Sequence, residues 1–265
     1  MDQNSRNDLL SKCLTITGQF EGGGPTLKWD NIAGDFDQQG MSVGVLQFAA
    51  LQGSLSKLCS AMIRAVAETG NALPVLEADI NDLASLNGPD AKAYVYSHYL
   101  DARGNVLPDA KVQWSAVLRS APGVQAQMEL ADKMYFEKAI ALSMQFVPTD
   151  PEHLRVLSFF FDLVTQSGGM SNKSGSVEPI QSSDESCFAE AIAFAAQNNQ
   201  QTAAYWQQVV DSGDELTKVL LHYAYRRAQL SRPAYVWDAC SRRGAIAARG
   251  GVVHKHFFDF TEELP

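Results

Sequence analysis

The chain has 265 residues, 46% of them hydrophobic, enough for one large domain or two modest ones with a sizeable core. Its formal net charge of −9 excludes nucleic acid as the main partner, because phosphate contacts need clustered Lys and Arg. An acidic surface suits a polycationic substrate and disfavours an anionic polymer, although acidity also serves solubility alone.

No window reaches the ~18 consecutive apolar residues of a membrane span, so no membrane insertion is expected. The start, MDQNSRNDLLSKC, lacks the basic n-region and apolar h-region of a signal peptide. Cys13, Cys59, Cys187 and Cys240 are scattered, with no C-x-x-C and no His/Cys cluster at metal spacing, so neither a metal nor another cofactor is implied. Cys13 and Cys59 fall on apolar helical stripes, which predicts buried thiols.

In chain order, Leu9, Leu10, Cys13, Leu14 and Thr17 recur at helical spacing. This helix should end near Glu21, because Gly22-Gly23-Gly24-Pro25 cannot continue it. Glu21 then stands at a helix C-terminus, where the dipole disfavours negative charge and should raise its pKa, as a general acid requires. From Leu27 to Phe48 the sequence reads as β-like, with Met41, Val43 and Val45 alternating between Gly40 and Gly44, and predicts a small β-hairpin. Asp35 and Asp37 share parity, so on an extended strand both would face one way. A helix follows from Gly53-Ser54 to Thr69-Gly70-Asn71.

Helical patterns with short breaks then run from Leu73 to Val147, and Val124, Met128, Ala131, Tyr135, Ala139 and Leu142 mark one long helix. Asp150-Pro151-Glu152 reads as a helix start, with Asp as cap and Pro at the first position. The helix it opens is apolar on nearly every side through Leu154, Leu157, Phe160, Phe161 and Val164, which predicts a buried central helix. Met170 to Ser183 reads as a loop, and helices resume at 184–199, 201–211, 214–230 and 234–248. The tail from Gly250 to Pro265 either pairs as a strand or packs.

Cleaving a glycosidic bond takes one carboxylic acid to protonate the leaving oxygen and one carboxylate to activate water or attack carbon. Glu21 is the candidate acid and Asp37 the candidate base, although spacing alone equally fits an ordinary Gly/Asp turn. Asp35 and Gln47 are candidate substrate-binding residues, Gln47 fitting a hairpin-to-helix cap as well. Asp162 and Gln166 lie one turn apart on the central helix and form either a cleft wall or a satisfied core network. Trp29 fits sugar stacking or a capped core equally well, while Arg242, Arg243, His254 and His256 read as surface or packing residues.

The order Glu, loop, G-D-x-D-x-x-G-x-S-x-G-x-x-Q-F resembles the catalytic region of glycoside hydrolase family 46 chitosanases. It is similar above all to the related lysozyme-type domains of peptidoglycan-active proteins, including extensions of type VI secretion spike proteins. The stretch Phe160 to Gly169 is similar to the central family helix, and Ser241 to Ala247 with Gly250 to His254 resembles the end of the lysozyme-type domains. The resemblance implies a mainly α (α+β, lysozyme-like) fold in which a single domain, residues 1–265, has two helical lobes, a small β-hairpin near the N-terminus and a cleft between the lobes. It implies Glu21 as general acid, Asp37 as general base, and Ser42 holding the attacking water where the chitosanases usually have threonine.

The activity so implied is a muramidase cutting β-1,4 bonds of peptidoglycan and needing no cofactor, with a chitosanase as the alternative and a non-catalytic carbohydrate-binding domain as the competing class. The resemblance also implies an antibacterial effector made in the cytoplasm and exported by a secretion machine to a periplasm, with a dedicated immunity protein as partner.

Overall fold

The structure, a computed structural model, describes residues 2–22, 27–180 and 186–264, excepting the side chains of Glu21, Gly22, Ser186 and Cys187. The chain forms two compact units, one of Met1–Phe20 with Tyr135–Pro265 and one of Glu21–Met134.

Helix α1 (Gln3–Gly22) opens the first unit and buries Leu10, Cys13, Leu14 and Thr17 of the predicted stripe, with Ile16 beside them, while Leu9 is half-buried. It ends where the glycine run begins, so Glu21 lies in its last turn.

In the second unit β1 (Ile32–Ala33), β2 (Ser42–Val43) and β3 (Phe48–Ala49) form an antiparallel sheet in that order, one strand more than the hairpin expected. Ser42 pairs with Ala33 on one side and Ala49 on the other. Strand β1 stops at Ala33 and residues 35–39 form a turn. Asp35 and Asp37 therefore share no extended-strand face, because the chain must reverse before Gly40, whose φ of +81° a side chain would resist.

Helix α2 (Ser54–Thr69) ends at Gly70, with φ +69°. It packs on α3 (Glu77–Ser85) and, beyond α4 (Gly88–His98) and α5 (Pro108–Arg119), on α6 (Ala121–Ala131). The long helix expected over 124–142 is α6 followed by a π-helical turn, Asp132–Phe136, and α7 (Glu137–Phe146). The apolar period carries through, but the π turn inserts a wider loop of backbone.

Back in the first unit, α8 (Leu154–Ser167) buries every residue from Arg155 to Val164, as a central helix should. It begins later than Asp150-Pro151-Glu152 suggests. His153 donates its N–H to the Asp150 carbonyl at 3.3 Å, closing a turn, and then takes an extended ψ of 130°. Its ring Nδ1 accepts the Arg155 N–H at 3.1 Å, so histidine rather than aspartate caps the helix.

A tight hairpin, β4 (Ser171–Asn172) with β5 (Gly175–Ser176), lies in the stretch expected to be loop. Helices α9 (Ser186–Asn198), α10 (Gln200–Asp211), α11 (Glu215–Ala228) and α12 (Val236–Ala247) follow. The tail pairs as β6 (Gly250–Val253) and β7 (His256–Asp259), turning at His254 and Lys255 with φ of 49° and 69°. Trp206 packs beneath this hairpin and donates its indole N–H to the Gly250 carbonyl at 3.0 Å. A Cβ on Gly244 of α12 would stand 2.1 Å from the same indole, so only glycine fits there.

Cys13, Cys59 and Cys240 are buried free thiols, and burial pushes Cys13 and Cys240 up to about 12. The Cys187 side chain lies outside the described residues. Among the described residues no helix is long and apolar enough to cross a membrane.

Arg155 and Asp214 join α8 to the start of α11 by a two-pronged ion pair, with bonds of 2.7 and 3.0 Å. Desolvation pushes the Asp214 carboxyl up, but the Arg155 bonds and the Thr217 N–H outweigh it and hold it down to about 2 from 3.8. A depressed carboxyl stabilises the fold above its unfolded value, so this contribution should fade as pH falls from about 4 towards 2. Arg155→Ala should cost about 3 kcal/mol in urea unfolding at pH 7, the low end for a buried pair because Asp214 keeps some exposure.

Candidate active site

The acidic turn of the second unit holds two carboxylates in different states. Asp35 is almost covered, with 7% of its side chain exposed. It accepts the Gly40 N–H at 2.5 Å and the Tyr96 hydroxyl, and pairs with Lys92 Nζ at 3.5 Å. Burial pushes its carboxyl up, while the Tyr96 and Gly40 bonds and the Lys92 charge outweigh that and hold it below the usual carboxylate range. Asp35, a candidate substrate ligand, thus spends both oxygens closing the turn. Asp37, two residues on, is exposed and, among the described residues, accepts only the Gln39 N–H at 3.1 Å, within its own turn. Of the pair, Asp37 has its carboxylate open to an incoming water.

Ser42 is buried at 5% exposure on the central strand of the sheet, past the glycine that closes the turn. Gln47 has φ 53° and folds back to donate to the Gly44 carbonyl at 3.0 Å and towards the Asn31 carbonyl at 3.5 Å. Its amide nitrogen therefore serves the loop and caps no helix, since α2 begins behind Gly53 with no side-chain cap. Trp29 is half-buried.

A residue not singled out from sequence, Gln127 of α6, fixes this segment from 82 positions away. Its side chain is fully buried, accepts the Val45 N–H at 2.9 Å and donates to the carbonyls of Leu118 and Gly123 at 3.1 and 3.2 Å. A Cβ on Gly44 would stand 2.5 Å from the accepting oxygen, so the glycine is what lets the amide approach. A polar residue on an apolar helix face was the available signal.

Glu21 has its backbone in the last turn of α1, and its side chain lies outside the described residues. In the first unit Asp162 has no exposure and accepts Arg242 Nε at 2.7 Å. It is a buried ion-pair partner rather than a cleft wall. Arg242 also reaches the Thr17 carbonyl at 3.4 Å and stacks over the Phe20 ring at 4.7 Å, touching the end of the helix that carries Glu21. Gln166, one turn further along α8, is exposed and lines a cavity of about 420 Å³. Arg242 and Arg243, read as surface or packing residues, are both buried. His254 is exposed and pairs with Asp238 at 2.5 Å.

In sequence, neither a protein-family model nor a curated protein matches the chain. In structure it is similar to the native chitosanase of Bacillus subtilis MY002, at 15% identity and TM-score 0.52, covering 93% of this chain and 88% of that one. A family GH46 chitosanase of Gynuella sunshinyii in complex with chitotetraose matches at 14% identity and TM-score 0.53, covering 97% and 98%. A chitosanase, OU01, crystallised with substrate matches at 17% identity and TM-score 0.53, covering 93% and 94%. At such identity the likeness is one of fold: the chain has the mainly α, lysozyme-like architecture of the family 46 chitosanases.

Gln127→Ala would leave the Val45 N–H and two carbonyls without their buried partner. The loss should be about 2–3 kcal/mol of stability, read as a lowered midpoint in thermal or urea unfolding.

Proposed function

We propose that the chain is a glycoside hydrolase that cuts β-1,4 bonds of peptidoglycan, with Glu21 as general acid and Asp37 as general base. The observation that carries the reading is a whole-length likeness of fold to enzymes named for cleaving an aminosugar polymer, combined with an open carboxylate at Asp37. Glu21 would give its proton to the leaving glycosidic oxygen. Asp37 would take a proton from the water that attacks the anomeric carbon, and the Ser42 hydroxyl would help hold that water. A water between the carboxyls makes the reaction inverting and calls for a separation of about 6.5–9.5 Å.

The division between Asp35 and Asp37 supports these roles. A base must have an oxygen free for the water, and Asp35 has both engaged. Peptidoglycan is favoured by the similarity of the Glu21–Phe48 motif to the lysozyme-type domains of peptidoglycan-active proteins. Chitosan is the second reading, favoured by what the structural neighbours are named for and by the net charge of −9, which would attract a polycation. On the peptidoglycan reading, export by a secretion machine to a periplasm and a dedicated immunity protein follow as proposals, and co-purification of a small neighbouring protein that inhibits the enzyme tests them.

Glu21→Gln and Asp37→Asn should each lower turnover of the polymer by about 10²–10⁴-fold while binding persists. Unchanged turnover in both variants would remove Glu21 and Asp37 from the chemistry, and polymer binding without turnover by the wild-type chain would identify a carbohydrate-binding domain instead.

A further inference from the structure

The cavity beside Gln166 gathers positive charge on a chain whose formal net charge is −9. Its wall is built from the end of α8, the β4–β5 hairpin, the end of α11 and the start of α12, and includes Asn172, Arg227, Arg232, Tyr235 and Arg243. Arg227 and Arg243 are 2% and 1% exposed. Buried guanidinium groups are ordinarily matched by carboxylates, since desolvating a charge without a counter-ion is costly. Here, among the described residues, both meet only neutral acceptors. Arg227 donates to the Gly169 and Ser167 carbonyls at 2.6 and 3.0 Å, and Arg243 to the Ser167 hydroxyl at 2.6 Å and the Ala239 carbonyl at 3.0 Å.

The electrostatic strain shows on Arg243. Burial pulls its guanidinium down to about 10, with the Arg242 and Arg227 charges adding to that and Asp162 opposing it. The carboxylate in the wall, Asp238, is held by His254. Arg232, at the rim, adds a further exposed positive charge, and Tyr235, 58% exposed, offers an aromatic face of the kind that stacks on sugar rings. A concave wall with several guanidiniums, amide and hydroxyl groups and one exposed ring suits an anionic saccharide, because guanidinium matches the two oxygens of a carboxylate.

We infer that this cavity is a subsite for the carboxylate of an acidic aminosugar polymer, either the lactyl carboxylate of muramic acid or a carboxylate of the stem peptide attached to it. The inference deepens the proposed function and rests on it for the identity of the polymer. It also answers the objection from net charge. An overall field of −9 acts on approach and is screened by salt, whereas buried guanidiniums act at contact.

The test is binding of soluble probes to the full chain carrying Glu21→Gln, so that turnover does not interfere. The probes are a GlcNAc–MurNAc disaccharide with a free lactyl carboxylate, the same disaccharide bearing its stem peptide, neutral chitobiose, and the glucosamine dimer. At least one carboxylate probe should bind about tenfold or more tightly than chitobiose, as a charge-assisted contact implies, and the tighter of the two names the carboxylate used. Arg227→Gln and Arg232→Ala should each shrink that preference severalfold. Arg232 is exposed, so its variant keeps the test sound if Arg227→Gln fails to fold. Equal binding of neutral and carboxylate probes, tighter binding of the glucosamine dimer, or no binding of either carboxylate probe would overturn the subsite. Cleavage of peptidoglycan by the wild-type chain without a charge preference would sink the subsite alone. A charge preference without cleavage of any polymer would sink the hydrolase reading alone.

Discussion

A carboxylate without solvent exposure has to be matched within the protein, and Asp162 meets that demand through Arg242. The 2.7 Å bond ties the centre of α8 to α12, and the same guanidinium lies over Phe20 and reaches the Thr17 carbonyl in α1. Three helices distant in sequence therefore meet at one buried charge. Removing either partner would strand the other, which is costlier than never having buried the pair. The consequence for chemistry is positional: the last turn of α1, which carries Glu21, is packed against an arginine whose own place is fixed by α8.

The second unit solves a different problem with the same economy of groups. A turn that presents an open carboxylate must be held without using that carboxylate. Asp35 closes it through the Gly40 N–H, Tyr96 and Lys92, while Gln127 anchors the strand end beyond Ser42. Asp37 is left with one local bond and an open face. Two acidic residues two positions apart thus differ in role because their surroundings differ, and the covered one supports the exposed one.

Element ends were legible where one residue type satisfies the backbone. Gly70 and Gly168 stop α2 and α8 in left-handed conformations, and Asp214 caps α11 through the Thr217 N–H. The same reading misplaced the start of α8, since a turn at Asp150 competes with the cap and His153 supplies it instead. Long-range partners were out of reach. Nothing near Val45 signals that its N–H goes to Gln127, and a charged Arg242-Arg243 pair reads equally as surface or packing until its helix is seen to face the core. Of the candidate site, the acidic turn before Gly40 and the strand position of Ser42 were legible because glycine spacing sets them. The engagement of Asp35, the inward turn of Gln47 and the burial of Asp162 were not, because each depends on a neighbour remote in sequence or on a backbone angle.

The chemistry proposed for Glu21 and Asp37 makes a definite product, and its reducing end is the most direct witness. Purified peptidoglycan and chitosan incubated with the chain, followed by mass analysis of the soluble fragments, should yield muropeptides with a hydrated N-acetylmuramic acid reducing end from the first. Anhydro ends would mean that no water was activated, glucosamine oligomers from the second polymer alone would make the enzyme a chitosanase, and intact polymers in both incubations would contradict hydrolysis altogether.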